Sequence, residues 1–105
     1  MAACSLYLTA ATQAEAEKIG RTLVEERLAA CANMLGPIRS FYWWQGKVQD
    51  DAEVAFLLKT RTELVDRVVA RVKQMHSYTV PCVVTWPIEA GNPDYLTWVE
   101  KEASG

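Results

Sequence analysis

Arg39-Ser-Phe-Tyr-Trp-Trp-Gln-Gly-Lys-Val-Gln-Asp-Asp-Ala-Glu-Val-Ala-Phe-Leu-Leu-Lys-Thr60 reads as two strand-like runs around a turn at Gln45-Gly46-Lys47. Before the turn, Ser40, Tyr42 and Trp44 share one face, and Arg39, Phe41 and Trp43 share the other. After it, Val54 to Leu58 form a continuous apolar run, as in a strand covered on both faces. At ~3.3 Å per residue each arm is long for so small a chain. A long, aromatic, two-sided hairpin carries more sheet than one small domain covers. The expectation is that it pairs with copies of itself.

The totals set the frame. A chain of 105 residues fits one domain, 1–105. Half of the residues are apolar, which suits a globular fold and excludes a disordered tail. A net charge of −2 with interspersed signs argues against nucleic acid or an anionic membrane as partner. No apolar run approaches the length of a membrane span. Met1-Ala2-Ala3-Cys4-Ser5 has no basic stretch ahead of an apolar one, so no signal peptide is expected. Cys4, Cys31 and Cys82 are odd in number and far apart. Reduced thiols in a cytoplasmic protein are the expectation.

Outward from the hairpin, the elements fall into order. Cys4 to Ala11 reads as a first strand. Thr12-Gln13-Ala14-Glu15 is a capping-box pattern ahead of a helix striped by Ala16, Ile19, Leu23 and Val24 or Leu28. Gly20 is a weak spot whose ordinary reason is close helix–sheet approach. A second strand is expected from Ala29, broken or bent at Gly36-Pro37. Thr60-Arg61-Thr62-Glu63 offers a second capping box. The helix after it carries Leu64, Val65, Val68, Val69, Val72 and Met75 at three- and four-residue spacing. Cys82 to Trp86 is a fourth strand. Asn92-Pro93 opens a last helix over 94–102. The order strand, helix, strand, strand, helix, strand, helix predicts an α+β fold. It is a ferredoxin-like split β-α-β sandwich with a C-terminal helix.

Candidate site residues are fewer. His76, the one histidine, is either a metal ligand or a polar cap on its helix. Met75 and Cys82 are near it in sequence, and soft copper accepts both types. The face of Ser40, Tyr42 and Trp44 fits either stacked bases or an oligomer interface. The mixed charges of Arg39, Lys47, Asp50, Asp51 and Glu53 favour the interface. Lys59 leaves a strand end either to meet an anion or to meet water. Cys31, in an Ala-Ala-Cys-Ala run, reads as a small buried hydrophobe. No Ser/His/Asp set, phosphate loop or catalytic carboxylate pair is present, and no enzyme is expected. An acyl-phosphate hydrolase would want an Arg between Leu8 and Thr12, and none is there.

Several motifs together resemble the CutA family of divalent-cation tolerance proteins. They are Glu26-Arg27-Leu28-Ala29-Ala30-Cys31-Ala32-Asn33-Met34, then Ile38, Ser40, Tyr42, Trp44 and Gly46 at alternate positions. Glu53, Lys59-Thr60, His76-x-Tyr78-x-x-Pro81 and Tyr95-Leu96-x-Trp98 follow in order. The resemblance implies a cytoplasmic homotrimer joined through the long hairpin strands, with Ser40, Tyr42 and Trp44 at the interface. It implies ligand clefts between subunits, carrying Tyr42, Lys59, Tyr78 and Trp98. It implies a divalent cation such as copper as ligand, with no obligatory cofactor; joined to the soft-donor reading above, the candidates to hold it are His76, Cys82 and Met75. The alternative it offers is a trimer similar to the PII signalling proteins, taking a small molecule with metal incidental. The loop departs from the family pattern. Ser77, Thr79 and Cys82 stand where a Pro and two acidic residues are usual, which removes hard oxygen ligands and adds a soft thiol.

Overall fold

β1 (Ala3–Ala10) is the strand on which the interior is built. In this computed structural model, which describes residues 2–105, Leu6 and Leu8 are fully buried on one face of β1. β1 ends at Ala10, and Thr12 caps α1 (Gln13–Glu25). The Thr12 hydroxyl accepts from the Glu15 N–H at 3.1 Å, and the Glu15 carboxylate accepts from the Ala11 N–H at 3.1 Å. The expected box therefore forms, with its return bond one residue earlier than the cap. Ala16, Ile19 and Leu23 meet Leu6, Leu8, Phe56, Val68 and Val72 in one core. A Cβ at Gly20 would stand 3.0 Å from the Ala32 Cβ, so glycine is what lets α1 lie this close to the sheet.

The remaining elements are β2 (Cys31–Trp44), β3 (Lys47–Arg61), α2 (Val65–Met75), β4 (Val83–Pro87) and α3 (Pro93–Glu102). The four strands lie in the order β2-β3-β1-β4, and every pairing is antiparallel. This is the ferredoxin-like arrangement. α1 and α2 share the core on one face. α3 crosses the opposite face at one end, where Val99 and Leu96 pack with Ala3, Ala30, Leu64 and Ala103. The Asn92 side chain caps α3 by accepting from the Asp94 N–H at 3.1 Å, with Pro93 in the first turn.

Several local expectations are corrected. β2 begins at Cys31 and not at Ala29, and β4 spans Val83–Pro87 in place of 82–86. Of the two outcomes expected at Gly36-Pro37, β2 is bent and not broken. The pairing passes from Met34 with Phe56 to Gly36 with Ala55, leaving Leu35 as an extra residue in a bulge. Gly36 takes φ +112°, and Pro37 is tolerated because β2 is an edge strand. The hairpin turn is shorter than expected, since Lys47 already belongs to β3. Gln45 at φ 52° and Gly46 at φ 78° form the positive-φ pair of a type I′ turn. The second capping box does not form. β3 runs on to Arg61, a single 3-10 turn Thr62–Leu64 precedes α2, and no side chain caps it. The buried Thr60 hydroxyl instead donates to the Leu28 carbonyl at 2.7 Å, because a buried hydroxyl needs a partner at once.

The bulge has a consequence for the site. Before it, Cys31 and Asn33 share the face of Lys59; after it, Ile38, Ser40, Tyr42 and Trp44 take that face. β1 covers β3 only from Val54 to Arg61. Lys47 to Glu53 pair with β2 alone, so the hairpin leaves the body as a two-stranded arm. The resulting shape measures 44 × 25 × 21 Å, with a radius of gyration of 14.1 Å. A compact chain of this length would have about 13 Å.

Candidate functional site: an aromatic groove at the root of the arm

The sheet face opposite α1 and α2 carries Tyr7 and Thr9 from β1, alternating with buried Leu6 and Leu8. The bulge brings Ile38, Ser40, Tyr42 and Trp44 to the same face, and Glu53 opposes Ile38. The loop after α2 lays Ser77, Tyr78, Thr79, Val80 and Cys82 across them. Together these enclose a groove of about 620 Å³. Among the described residues that line it, one is a carboxylate, one a thiol, three are phenols, and none is basic.

Glu53 organises this chemistry. It accepts the Tyr78 hydroxyl at 2.7 Å. Burial first, then that bond and the Glu53 charge, push the Tyr78 phenol well above its ordinary range, so it stays a donor. Burial and then Glu53 also raise the Cys82 thiol. Burial, Cys82 and Glu53 raise Tyr7 in the same way. Tyr42 donates to Asp51 at 2.5 Å, and that bond is the first cause of its raised pKa. The groove is therefore neutral except for Glu53.

His76 holds the loop in place from behind. Its side chain is fully buried at the end of α2. Nδ1 accepts from the Tyr78 N–H at 3.0 Å, so Nε2 carries the proton and donates to the Thr9 carbonyl at 2.8 Å. Both flanking groove residues are thus set by one ring. Glu15 adds a second tie, accepting from the Ser77 N–H at 2.7 Å and its hydroxyl at 3.0 Å. Burial would raise the Glu15 carboxyl, but these bonds and that from Ala11 together hold it below the usual range.

With that geometry in hand, similarity to known proteins is informative. The family described as CutA1 divalent ion tolerance protein matches residues 4–102. The Divalent-cation tolerance protein CutA of Archaeoglobus fulgidus is 46% identical over 96 residues, covering 91% of this chain and 93% of that one. The chain belongs to the CutA1 divalent ion tolerance family. A solved structure of the Archaeoglobus fulgidus protein, described as periplasmic, superposes with a TM-score of 0.93 at 43% identity, covering 97% and 99% of the two chains. That of the Thermus thermophilus divalent cation tolerance protein (Cut A1) gives 0.92 at 41%, covering 95% and 97%.

Within this family fold, the expected site residues separate. Cys82, Tyr42 and Tyr78 line the groove, as do Ser40 and Trp44. His76 and Met75 do not join Cys82 there. Both ring nitrogens of His76 are engaged, and Met75 packs against the main core. Among the described residues no three His, Cys, Asp or Glu side chains gather as ligands. Lys59 and Trp98 lie under and on α3. The Lys59 ammonium donates to the Asn33 side chain at 2.9 Å and stands 5.7 Å from the Tyr95 ring centre, which is 5.6 Å from that of Trp98. Cys31 joins this second group and not a buried core, its sulfur 3.5 Å from the Tyr95 hydroxyl. That bond first, then burial, pushes Tyr95 up to about 12. Tyr7, Thr9 and Ile38 were not foreseen. The alternation of β1 marks Tyr7 and Thr9 as facing away from Leu6 and Leu8, but only the pairing with β3 sets them beside Glu53.

Proposed function

We propose that this protein is a cytoplasmic, non-enzymatic homotrimer that binds a divalent cation in the groove, with Glu53 and Cys82 as the groups that meet it. The observation that carries this reading is the groove's lining, in which a carboxylate and a thiol converge and no basic residue opposes a cation. The thiol favours copper over hard ions, since soft metals select sulfur. Burial and Glu53 keep Cys82 protonated, so copper binding releases a proton from it. Three free cysteines fit a reducing compartment.

Assembly is supported by the arm. Tyr42, Trp44, Phe41, Trp43 and Val48 are all exposed on it, and β2 is an open edge. A neighbouring copy seated on Ser40, Tyr42 and Trp44 would roof the groove and make it a cleft between subunits. Native mass spectrometry with and without copper tests both parts. The expected result is a trimer that takes one copper per subunit in the wild type and none in Cys82→Ser. Unchanged copper uptake in both Cys82→Ser and Glu53→Gln would sink the site.

A further inference from the structure

The lining of the groove also suits a second class of cation. We propose that the groove takes a quaternary ammonium head group, placed between Glu53 and the rings of Tyr7, Tyr42, Trp44 and Tyr78. This rests on the groove being the ligand site and names an organic cation for it. The lining supplies four aromatic side chains, Ile38 and Val80, and a single carboxylate. Aromatic faces attract a cation through the ring quadrupole, and cages of them beside a carboxylate are how quaternary ammonium is held. Two of the phenol hydrogens are already spent, Tyr78 on Glu53 and Tyr42 on Asp51. The walls also carry the hydroxyls of Thr9, Ser40 and Thr79, but their one formal charge is the Glu53 carboxylate, which calls for a cation. A tetraalkylated nitrogen offers no N–H and asks for no acceptor, which matches walls of this kind. A volume of about 620 Å³ leaves room for a chain attached to the head group.

Choline is the probe, and 3,3-dimethylbutanol is its neutral isostere. Titration of the wild-type protein by calorimetry and tryptophan fluorescence is expected to give saturable choline binding at one site per subunit. The isostere should bind roughly tenfold more weakly or not at all, because it lacks the charge. Choline binding should release no proton, whereas copper binding should release one, read from the dependence of heat on buffer. Glu53→Gln should weaken choline roughly tenfold, and Tyr7→Leu roughly threefold or more. Equal affinity for choline and the isostere overturns the proposal, and so does copper uptake with proton release but no choline binding. Choline binding without copper uptake sustains it and removes the metal reading. Absence of both, with the tryptophans shielded in the trimer, means a neighbouring copy fills the groove and overturns both. The wild-type comparison of the two ligands decides even where a variant fails to fold.

Discussion

The chain's two phenylalanines sit at opposite ends of the same hairpin and mark two different regions. Phe56 is 0% exposed, locked among Leu6, Leu8, Ile19 and Val68. Phe41 is 67% exposed on the arm, with the Arg39 guanidinium 5.4 Å from its ring centre. At the body of the sheet, strands have neighbours on both sides and helices above, so apolar side chains are buried within one chain. On the arm, two strands stand alone with aromatic residues on both faces. A two-stranded ribbon is marginal in water by itself. The contrast teaches where this chain buries its apolar side chains within itself and where it leaves them exposed.

The largest effect is expected in the body. Phe56→Ala should cost about 3–5 kcal/mol, the lost transfer energy plus a cavity that packed neighbours cannot close. Urea denaturation at one fixed protein concentration reads it, since assembly contributes to apparent stability. A loss under about 1 kcal/mol would mean that the body is not the stable region, against what core truncations cost elsewhere.

Next in size is the arm's inner face. Trp44→Glu should remove roughly 2 kcal/mol or more from assembly, as truncation of a central aromatic does at an interface. Size-exclusion chromatography should then show monomer. Trp86→Glu is the control. Trp86 is also half exposed, but it lies on β4 opposite Ser5, away from the arm, and should hurt assembly less. An intact Trp44→Glu trimer would break the comparison, because the arm's aromatics would then need another explanation.

A smaller effect tests how the body is tied to the groove. The Glu15 carboxyl is held below its usual range, so its ionised form stabilises the native state. That contribution is complete above the unfolded pKa of about 4.3 and is lost as the pH falls through the lower folded value. Glu15→Gln should cost about 1 kcal/mol near neutral pH, since it keeps an acceptor but loses the charge on the bonds from Ser77 and Ala11. The difference between variant and wild type should close on acidification. A gap that persists at the lowest pH would show that Glu15 acts by packing.

The same division explains what was legible in the sequence. Thr12, Glu15, Asn92 and Pro93 act on backbone within one turn, so their roles could be read locally. Alternation placed Ser40, Tyr42 and Trp44 on one face correctly, because it needs only the strand's period. Thr60 misled for the opposite reason. Its hydroxyl found a carbonyl at Leu28, 32 residues away, before it could serve a nearby helix. The groove was half legible. Tyr42 and Tyr78 came from the family resemblance and Cys82 from its nearness to His76 in sequence, but Tyr7, Thr9 and the facing of Glu53 depend on the register of β1 against β3 and on a one-residue bulge at Leu35. His76 read as either a metal ligand or a polar cap, and the two bonds that occupy its ring join residues 67 positions and two positions away; only the folded chain brings the first within reach.

Phe41→Ala carries the smallest expected effect and sharpens the comparison most. Phe41 lies on the arm's outer face with Trp43, turned away from the groove. If only the inner face of the arm meets another copy, truncating Phe41 should change stability and assembly by about 0.5 kcal/mol or less, as exposed positions do. The matched pair, Phe56→Ala and Phe41→Ala, then differs by several-fold for one and the same chemical deletion. A Phe41 loss approaching that of Phe56 would place the outer face in a buried contact as well. The arm would then be enclosed on both sides, like the middle of a sheet, and the trimer would be a far larger structure around the arm than contact at Ser40, Tyr42 and Trp44 requires. Denaturation midpoints and assembly state measured on the same two variants decide between these.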